Sequence, residues 1–175
     1  MNRVGLGTDR HRLAFGKKLI LGGVKVESPK GAVGHSDADA LTHAVIDAVL
    51  GAAGMGDIGH HFPDTDPQWK DADSIELLKK CVELLKTTGY RPTNVDAVVH
   101  LEQPKLGRLK QEMAANIADA LQLPRHMVNV KAKTGEGLGP VGTGDAVEAL
   151  AVASIEKMST MVVRTSSTSL PVIKP

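Results

Sequence analysis

Asp9 and His11 stand two residues apart in the run Gly5-Leu6-Gly7-Thr8-Asp9-Arg10-His11. In an extended segment side chains two apart share a face, so this pair could chelate one ion. Taken alone, such a pair is more often a surface pair in a turn. A second concentration of chemistry is His35-Ser36-Asp37-Ala38-Asp39, followed by His43 and Asp47. On a helix Asp39, His43 and Asp47 are successive i, i+4 neighbours and form a polar ridge. His43 could then complete a site with Asp9 and His11, and Asp47 could accept a hydrogen bond from its second ring nitrogen. One carboxylate and two imidazoles are a catalytic zinc set that leaves a fourth position for a substrate oxygen. The third place is the stretch from Gly56 to Pro67 (GDIGHHFPDTDP), whose Gly, Asp and Pro content predicts a functional loop or lid and no helix. Adjacent loop residues seldom both reach one ion, which makes His60 and His61 flanking groups before ligands.

Strands and helices must bring these places together. Arg3 to Thr8 and Lys18 to Val26 read as strands, the second with a bulge or hairpin bend at its Gly pair. From Asp37 to Ala53, Leu41, Val45, Ala48, Val49 and Ala52 recur at helical spacing, with Ser36 or Asp37 as the cap and Gly54 as the stop. A second helix starts at Asp73, where Asp73 and Glu76 resemble a capping box; it turns Ile75, Leu78, Val82 and Leu85 inward and stops at Gly89. Cys81 flanks that stripe as a packing residue. Val95 to Leu101 predicts a strand, Leu106 to Leu121 a helix, and Met127 to Lys133 a strand. Ala146 to Lys157 fits either a helix or a half-buried strand, and its periodicity does not decide. The pattern is α+β, a sheet covered by helices. Residues 1–158 form one domain, and 159–175 form a polar, Ser/Thr-rich tail to which no chemistry is assigned.

Composition narrows the function. The 175 residues carry a net charge of +1 and only four aromatic side chains, Phe15, Phe62, Trp69 and Tyr90. Basic stripes and stacking platforms are therefore missing, which disfavours a nucleic-acid binder. The single Cys81 excludes an internal disulfide and Cys-rich zinc modules, leaving His and carboxylate to hold any metal. No apolar run approaches the roughly 20 residues of a membrane span, so a soluble, cytoplasmic protein is expected.

Across residues 3 to 157 the chain resembles the 2-C-methyl-D-erythritol 2,4-cyclodiphosphate synthase family. The resemblance is carried by GLGTDRH (5–11), AVGHSDADALTHAVIDAVLGAAGMGDIG (32–59), HFPDTDP (61–67), the Asp73-Ser74 cap, QPKL (103–106) and KAKTGEGLG (131–139). It implies a mixed sheet with helices on one face, three such sheets meeting around a homotrimer axis, and a strand over 146–157. Asp9, His11 and His43 are implied as zinc ligands. His35 and Ser36 are implied to contact phosphates and polyol, and Asp57 and Asp64 to hold methylerythritol hydroxyls. From the neighbouring subunit, Pro104-Lys105-Leu106 and Ala132-Lys133-Thr134 are implied to hold cytidine and its phosphates. Glu136 is implied to bind Mg²⁺ or Mn²⁺ with the diphosphate. Asp57, Thr134 and Lys105 are the residues implied in catalysis.

The reaction that this implies is attack by the 2-phosphate of 4-diphosphocytidyl-2-C-methyl-D-erythritol 2-phosphate on the β-phosphorus, closing a cyclic diphosphate and releasing CMP. Such a step needs charge neutralisation and positioning and no protein nucleophile. The chain departs from the family at Lys133-Thr134-Gly135-Glu136 and at Gly139-Pro140-Val141-Gly142-Thr143-Gly144-Asp145, where a phenylalanine and an arginine are usual. Lys133 is expected to supply the positive charge lost at Thr143, and the family's apolar cavity on the trimer axis is not carried over. Two other classes fit the same metal ligands: a zinc hydrolase with Asp57 or Asp64 as general base, and a non-catalytic metal-dependent scaffold.

Overall fold

Residues 2–158 are described by a computed structural model; the expected tail lies outside them. β1 (Asn2–Phe15) and β7 (Ala146–Lys157) run antiparallel, from Asn2 opposite Glu156 to Arg12 opposite Ala146. β7 also pairs antiparallel with β5 (Tyr90–His100), and β5 lies parallel to β6 (Val128–Lys133). With β4 (Lys30–Val33) on the far edge the sheet order is β4-β1-β7-β5-β6. β2 (Leu19–Leu21) and β3 (Val24–Val26) form a separate hairpin. Its two-residue turn is Gly22-Gly23, both at positive φ, as a tight hairpin turn requires. This is the expected mixed sheet. The first strand is longer than expected because β7 pairs with it through Arg12 and β4 then pairs with Arg12 to Phe15.

The helices lie on one face. α1 (Ala40–Ala53) crosses β1 and β7, α3 (Ser74–Thr87) packs on α1 and β5, and α4 (Leu109–Leu121) covers β6. The segment 146–157 is a strand: Val147, Ala149, Ala151, Ala153 and Ile155 are buried under the helices, while Leu150 and Val152 face out. Val4 and Leu6 face the same way at 67% and 65% exposure, so the sheet leaves an apolar open face.

Small residues let α1 come close. An added Cβ at Gly5 would lie 2.0 Å from the Ala48 carbonyl oxygen, and one at Gly7 would lie 2.0 Å from that of Ala44. Only a bare backbone fits there. The helix thereby sits low enough for His43 to reach the side chains of β1.

Several local expectations are corrected. α1 begins at Ala40, and its cap is Asp39. The Asp39 carboxylate is fully buried and accepts hydrogen bonds from Thr42 N (3.0 Å), Gly22 N (2.9 Å) and Gly23 N (2.7 Å). It ties the hairpin to the helix, so it is no part of a polar ridge. The stretch 56–67 does contain one helical turn, α2 (Ile58–His61), because Asp57 caps it through His60 N at 3.0 Å. α3 is capped by Asp73 through Ile75 N, but Glu76 pairs with Lys79 at 2.6 Å and closes no capping box. Leu77 joins the inward stripe in place of the half-buried Ile75. α4 starts three residues late, after a turn at Gly107. A second single turn, α5 (Gly139–Gly142), carries Pro140 at its start.

Cys81 is fully buried in α3. Burial, aided by the charge of Asp47, pushes its thiol up to about 12. At pH 8 the thiolate fraction is then roughly 10⁻⁴, so no alkylation by iodoacetamide over an hour is expected in the folded protein, with full labelling in denaturant. Mass spectrometry of the two samples checks this. No helix among the described residues is long and apolar enough to cross a membrane.

Candidate metal centre and its surroundings

Asp9 and His11 point from β1 toward the helices, and His43 comes down on them from the first turn of α1. Asp9 Oδ2 lies 2.9 Å from His11 Nε2 and 2.9 Å from His43 Nδ1, and the two nitrogens are 3.3 Å apart. Two ligands of a tetrahedral zinc at ordinary bond lengths stand about 3.3 Å from each other. The triangle therefore has the size that such an ion requires, and it is the His/carboxylate cluster among the described residues that could hold a metal.

The hydrogen bonds behind the triangle set its chemistry. His11 Nδ1 lies 3.0 Å from the Val33 carbonyl, which can only accept, so Nδ1 carries the proton and Nε2 offers its lone pair. His43 Nε2 lies 2.9 Å from Ser74 Oγ, and the Ser74 hydroxyl donates to Asp37. Its remaining lone pair accepts from His43, which leaves His43 Nδ1 unprotonated. Asp9 Oδ1 is occupied by Arg10 N at 2.8 Å, so Oδ2 is the free oxygen. As three acceptors, Asp9 Oδ2, His11 Nε2 and His43 Nδ1 repel one another, and a proton taken up by an imidazole or a bound cation relieves them. Burial by itself raises the Asp9 carboxyl, but hydrogen bonds and charge from His11 and His43 outweigh it and hold Asp9 well below the usual carboxylate range. Burial lowers His11, and the bond and charge of Asp9 outweigh it to leave the imidazole raised.

Asp47 does not support His43. Its Oδ1 accepts from Ile58 N at 2.7 Å, tying α1 to the loop, and burial raises its carboxyl. The second ring nitrogen of His43 faces Ser74 of α3 and not Asp47.

Beside the triangle is a cavity of about 450 Å³, lined by His11, His35, Ser36, His43, Asp64 and Trp69 among others. His35 Nε2 is buried there with no hydrogen-bond partner, and Ser36 Oγ lies 3.2 Å from His43 Nε2. Phe62 and Trp69 meet edge to face at 5.0 Å and form the outer wall. The segments are laced together by Asp71 N to His35 O (3.0 Å) and Asp37 N to Ala72 O (3.1 Å). Asp57 sits at the head of α2 near this cavity. His60 and His61 stay outside the triangle, and His61 Nε2 lies 2.8 Å from Met55 O.

The residues expected on the nucleotide side lie elsewhere: Ala132 and Lys133 are the last two residues of β6, Thr134 and Glu136 follow them, and Pro104, Lys105 and Leu106 follow the end of the parallel strand β5. Leu101 N donates to Lys133 O at 2.9 Å, Gly135 N to Glu102 Oε2 at 2.9 Å, and Thr134 Oγ1 to Glu136 Oε1 at 2.5 Å. Through the registers Asp9–Ala149, Val99–Ala149 and Val99–Ala132 this group stands level with the triangle but three strands away, roughly 14 Å at ordinary strand spacing. One chain does not join the two halves. Thr143 donates to Asp145 at 2.7 Å, and Lys30 Nζ bonds the Gly144 carbonyl at 2.8 Å, so a second lysine stands where the chain lacks arginine. Asp37, Ser74, Glu102 and Lys30 were not singled out as site residues by the sequence, since each acts through a contact distant in the chain.

The model of the YgbB family matches residues 2–156. The chain is 56% identical over 154 residues to the 2-C-methyl-D-erythritol 2,4-cyclodiphosphate synthase of Salinibacter ruber, covering 88% of this chain and 98% of the relative. It is 54% identical over 156 residues to the synthase of the same name from Dechloromonas aromatica, covering 89% and 98%. A solved 2C-methyl-D-erythritol-2,4-cyclodiphosphate synthase in its CDP-bound form superposes with a TM-score of 0.81 at 38% identity, covering 88% of this chain and all of that one (100%). The bifunctional IspDF of Campylobacter jejuni matches with a TM-score of 0.87 at 39% identity; 91% of this chain is covered, and it spans 43% of that longer protein.

Proposed function

From the fact that this chain belongs to the YgbB family, we infer that it converts 4-diphosphocytidyl-2-C-methyl-D-erythritol 2-phosphate to 2-C-methyl-D-erythritol 2,4-cyclodiphosphate and CMP, a step of the non-mevalonate route to isoprenoid precursors. It is a phosphorus–oxygen lyase. The observation that carries this reading is the triangle of Asp9, His11 and His43 opening on a cavity lined by His35, Ser36 and Asp64. An oxygen of the 2-phosphate attacks the β-phosphorus, a new P–O bond forms, and the bond to the oxygen of the α-phosphate breaks, so CMP leaves with that oxygen. Two anions must be held within bonding reach in the right orientation.

Asp9, His11 and His43 would hold zinc, whose two-imidazole, one-carboxylate ligand set suits that ion. When bound, zinc supplies Lewis-acid neutralisation to a phosphate oxygen, and Mg²⁺ or Mn²⁺ at Glu136 would do the same for the diphosphate. His35 and Ser36 bind phosphate and polyol; the unpartnered His35 Nε2 gains a partner in substrate. Asp57 and Asp64 accept hydrogen bonds from the polyol hydroxyls. Lys105 places a point charge at the leaving nucleotide, Pro104, Leu106, Ala132 and Lys133 enclose it, and Thr134 orients its phosphates. The catalytic domain is 1–158, and the enzyme works in the cytoplasm.

The separation of the two halves supports sites built between subunits of a homotrimer, with the apolar face of Val4, Leu6, Leu150 and Val152 as the buried contact. His43→Ala and Lys105→Ala chains, each inactive alone, are then expected to regain about a quarter of wild-type CMP release when refolded together, because random mixed trimers restore one site of three. No recovery would place both halves in one chain. Lys133→Thr is expected to lower turnover, and adding Thr143→Arg to raise it again; equal rates for the two variants would contradict the compensation. Release of inorganic phosphate in place of CMP would identify a zinc hydrolase, and zinc binding without any CMP release a scaffold.

A further inference from the structure

Ser74 is fully buried at the start of α3, although a hydroxyl there is not needed to cap the helix, which Asp73 already does. Its Oγ lies 2.9 Å from His43 Nε2, and the same hydroxyl donates to Asp37 Oδ1, while Ser74 N donates to Asp37 Oδ2 at 3.0 Å. Asp37 Oδ1 also accepts from Asp39 N at 3.2 Å. An ionised carboxylate only accepts. The Ser74 hydrogen is therefore committed to Asp37, and Ser74 can meet His43 only as an acceptor. We propose that Asp37, acting through Ser74, is the positioning pair that fixes His43 with its proton on Nε2, so that the Nδ1 lone pair is kept facing Asp9 and His11 for the metal.

The direction of the relay is what matters. Were the Ser74 hydroxyl free to turn, it could donate to Nε2 and move the imidazole proton to Nδ1, into the triangle, where it would compete with the ion. A carboxylate behind a ligating histidine commonly plays this part directly; here a hydroxyl is interposed because His43 reaches α3 and not a carboxylate of its own helix. Ser36 Oγ, 3.2 Å from the same nitrogen, accepts from Ala38 N at 3.4 Å and has no charged acceptor behind it. It does not set the direction, and its hydrogen stays available to the cavity. Asp37 also joins three parts of the site, since its N–H bonds Ala72 O at 3.1 Å and its carboxylate sits at the head of α3. Ser74 behind His43, the His35-Ser36 segment and Ala72 just ahead of α3 are thus one hydrogen-bonded unit.

This proposal rests on the metal reading of the triangle, and the test separates the two. Zinc affinity is measured by chelator competition for the wild type, Ser74→Ala, Asp37→Asn and the double variant. Wild type should hold one zinc; if it does not, the metal reading fails and the relay with it. Ser74→Ala and Asp37→Asn should each bind zinc about 10- to 100-fold more weakly, since an amide at 37 puts its NH₂ against one of the two Ser74 donors. In the Ser74→Ala background Asp37→Asn should change the affinity little further, because the path is already cut. In ¹⁵N-histidine spectra of the zinc-loaded protein, the His43 Nε2–H should exchange slowly in wild type and fast in Ser74→Ala. Wild-type affinity in Ser74→Ala, or an undiminished effect of Asp37→Asn in that background, would overturn the proposal. Should Ser74→Ala not fold, Ser74→Cys, which keeps the volume and pairs weakly, takes its place with the same two outcomes.

Discussion

Replacing His43 by alanine is expected to abolish stoichiometric zinc and to lower cyclisation on the order of 10³-fold or more, while leaving a folded protein. His43 offers one of the three candidate ligand atoms, and without it Asp9 and His11, whose nearest side-chain atoms are 2.9 Å apart, are left as a two-point site open to water. Alanine is the best helix former and sits in the first turn of α1 without strain, and Ser74 keeps its bonds to Asp37. Loss of function with retained folding is therefore expected. Metal analysis after gel filtration, far-UV circular dichroism and CMP release are the three readouts. A variant that keeps either its zinc or its cyclisation would show that the triangle is not the metal centre.

The largest effect on stability is expected at Gly7. A Cβ there would stand 2.0 Å from the Ala44 carbonyl oxygen and 2.6 Å from Ala48 N, atoms of the helix backbone that cannot rotate aside. Gly7→Ala must push α1 off the sheet or bend β1, at a cost of more than about 3 kcal/mol. Because α1 carries His43 and β1 carries Asp9 and His11, the same displacement should weaken zinc binding. Gly51→Ala serves as the internal control. That glycine lies within α1, its nearest neighbour for a Cβ is Leu6 O at 3.9 Å, and alanine there should stabilise by about 0.5–1 kcal/mol. Urea titrations of both variants with the zinc chelated check the contrast. Equal and small effects would mean that the close approach of helix to strand is not what holds this layer.

Residue type and spacing made the candidate triangle visible, and the resemblance is what selected its members as ligands. Asp9 and His11 alternate on one strand face, and His43 lies one turn into an evident helix. The polar ridge was misread at both ends because periodicity does not report long-range acceptors: Asp39 is taken by the Gly22-Gly23 turn and Asp47 by Ile58 N. The same limit hid Ser74 and Asp37 as the support of His43. β7 was open to two readings because its alternation of Val, Ala and Leu fits a helix stripe equally well; only pairing with β1 and β5 decides it. Gly5 and Gly7 looked like strand punctuation, and their part as the floor beneath α1 depends on a helix forty residues away. The nucleotide-side residues came from resemblance alone, and a single chain leaves them across the sheet from the metal triangle.

The most direct measurement is phosphorus NMR of the purified protein with 4-diphosphocytidyl-2-C-methyl-D-erythritol 2-phosphate, Zn²⁺ and Mg²⁺. The expected spectrum gains the two coupled resonances of a cyclic diphosphate and the single resonance of CMP in equal amounts, and a chelator stops both. Substrate that stays intact with zinc bound, or that yields inorganic phosphate or a linear diphosphate, would contradict the account.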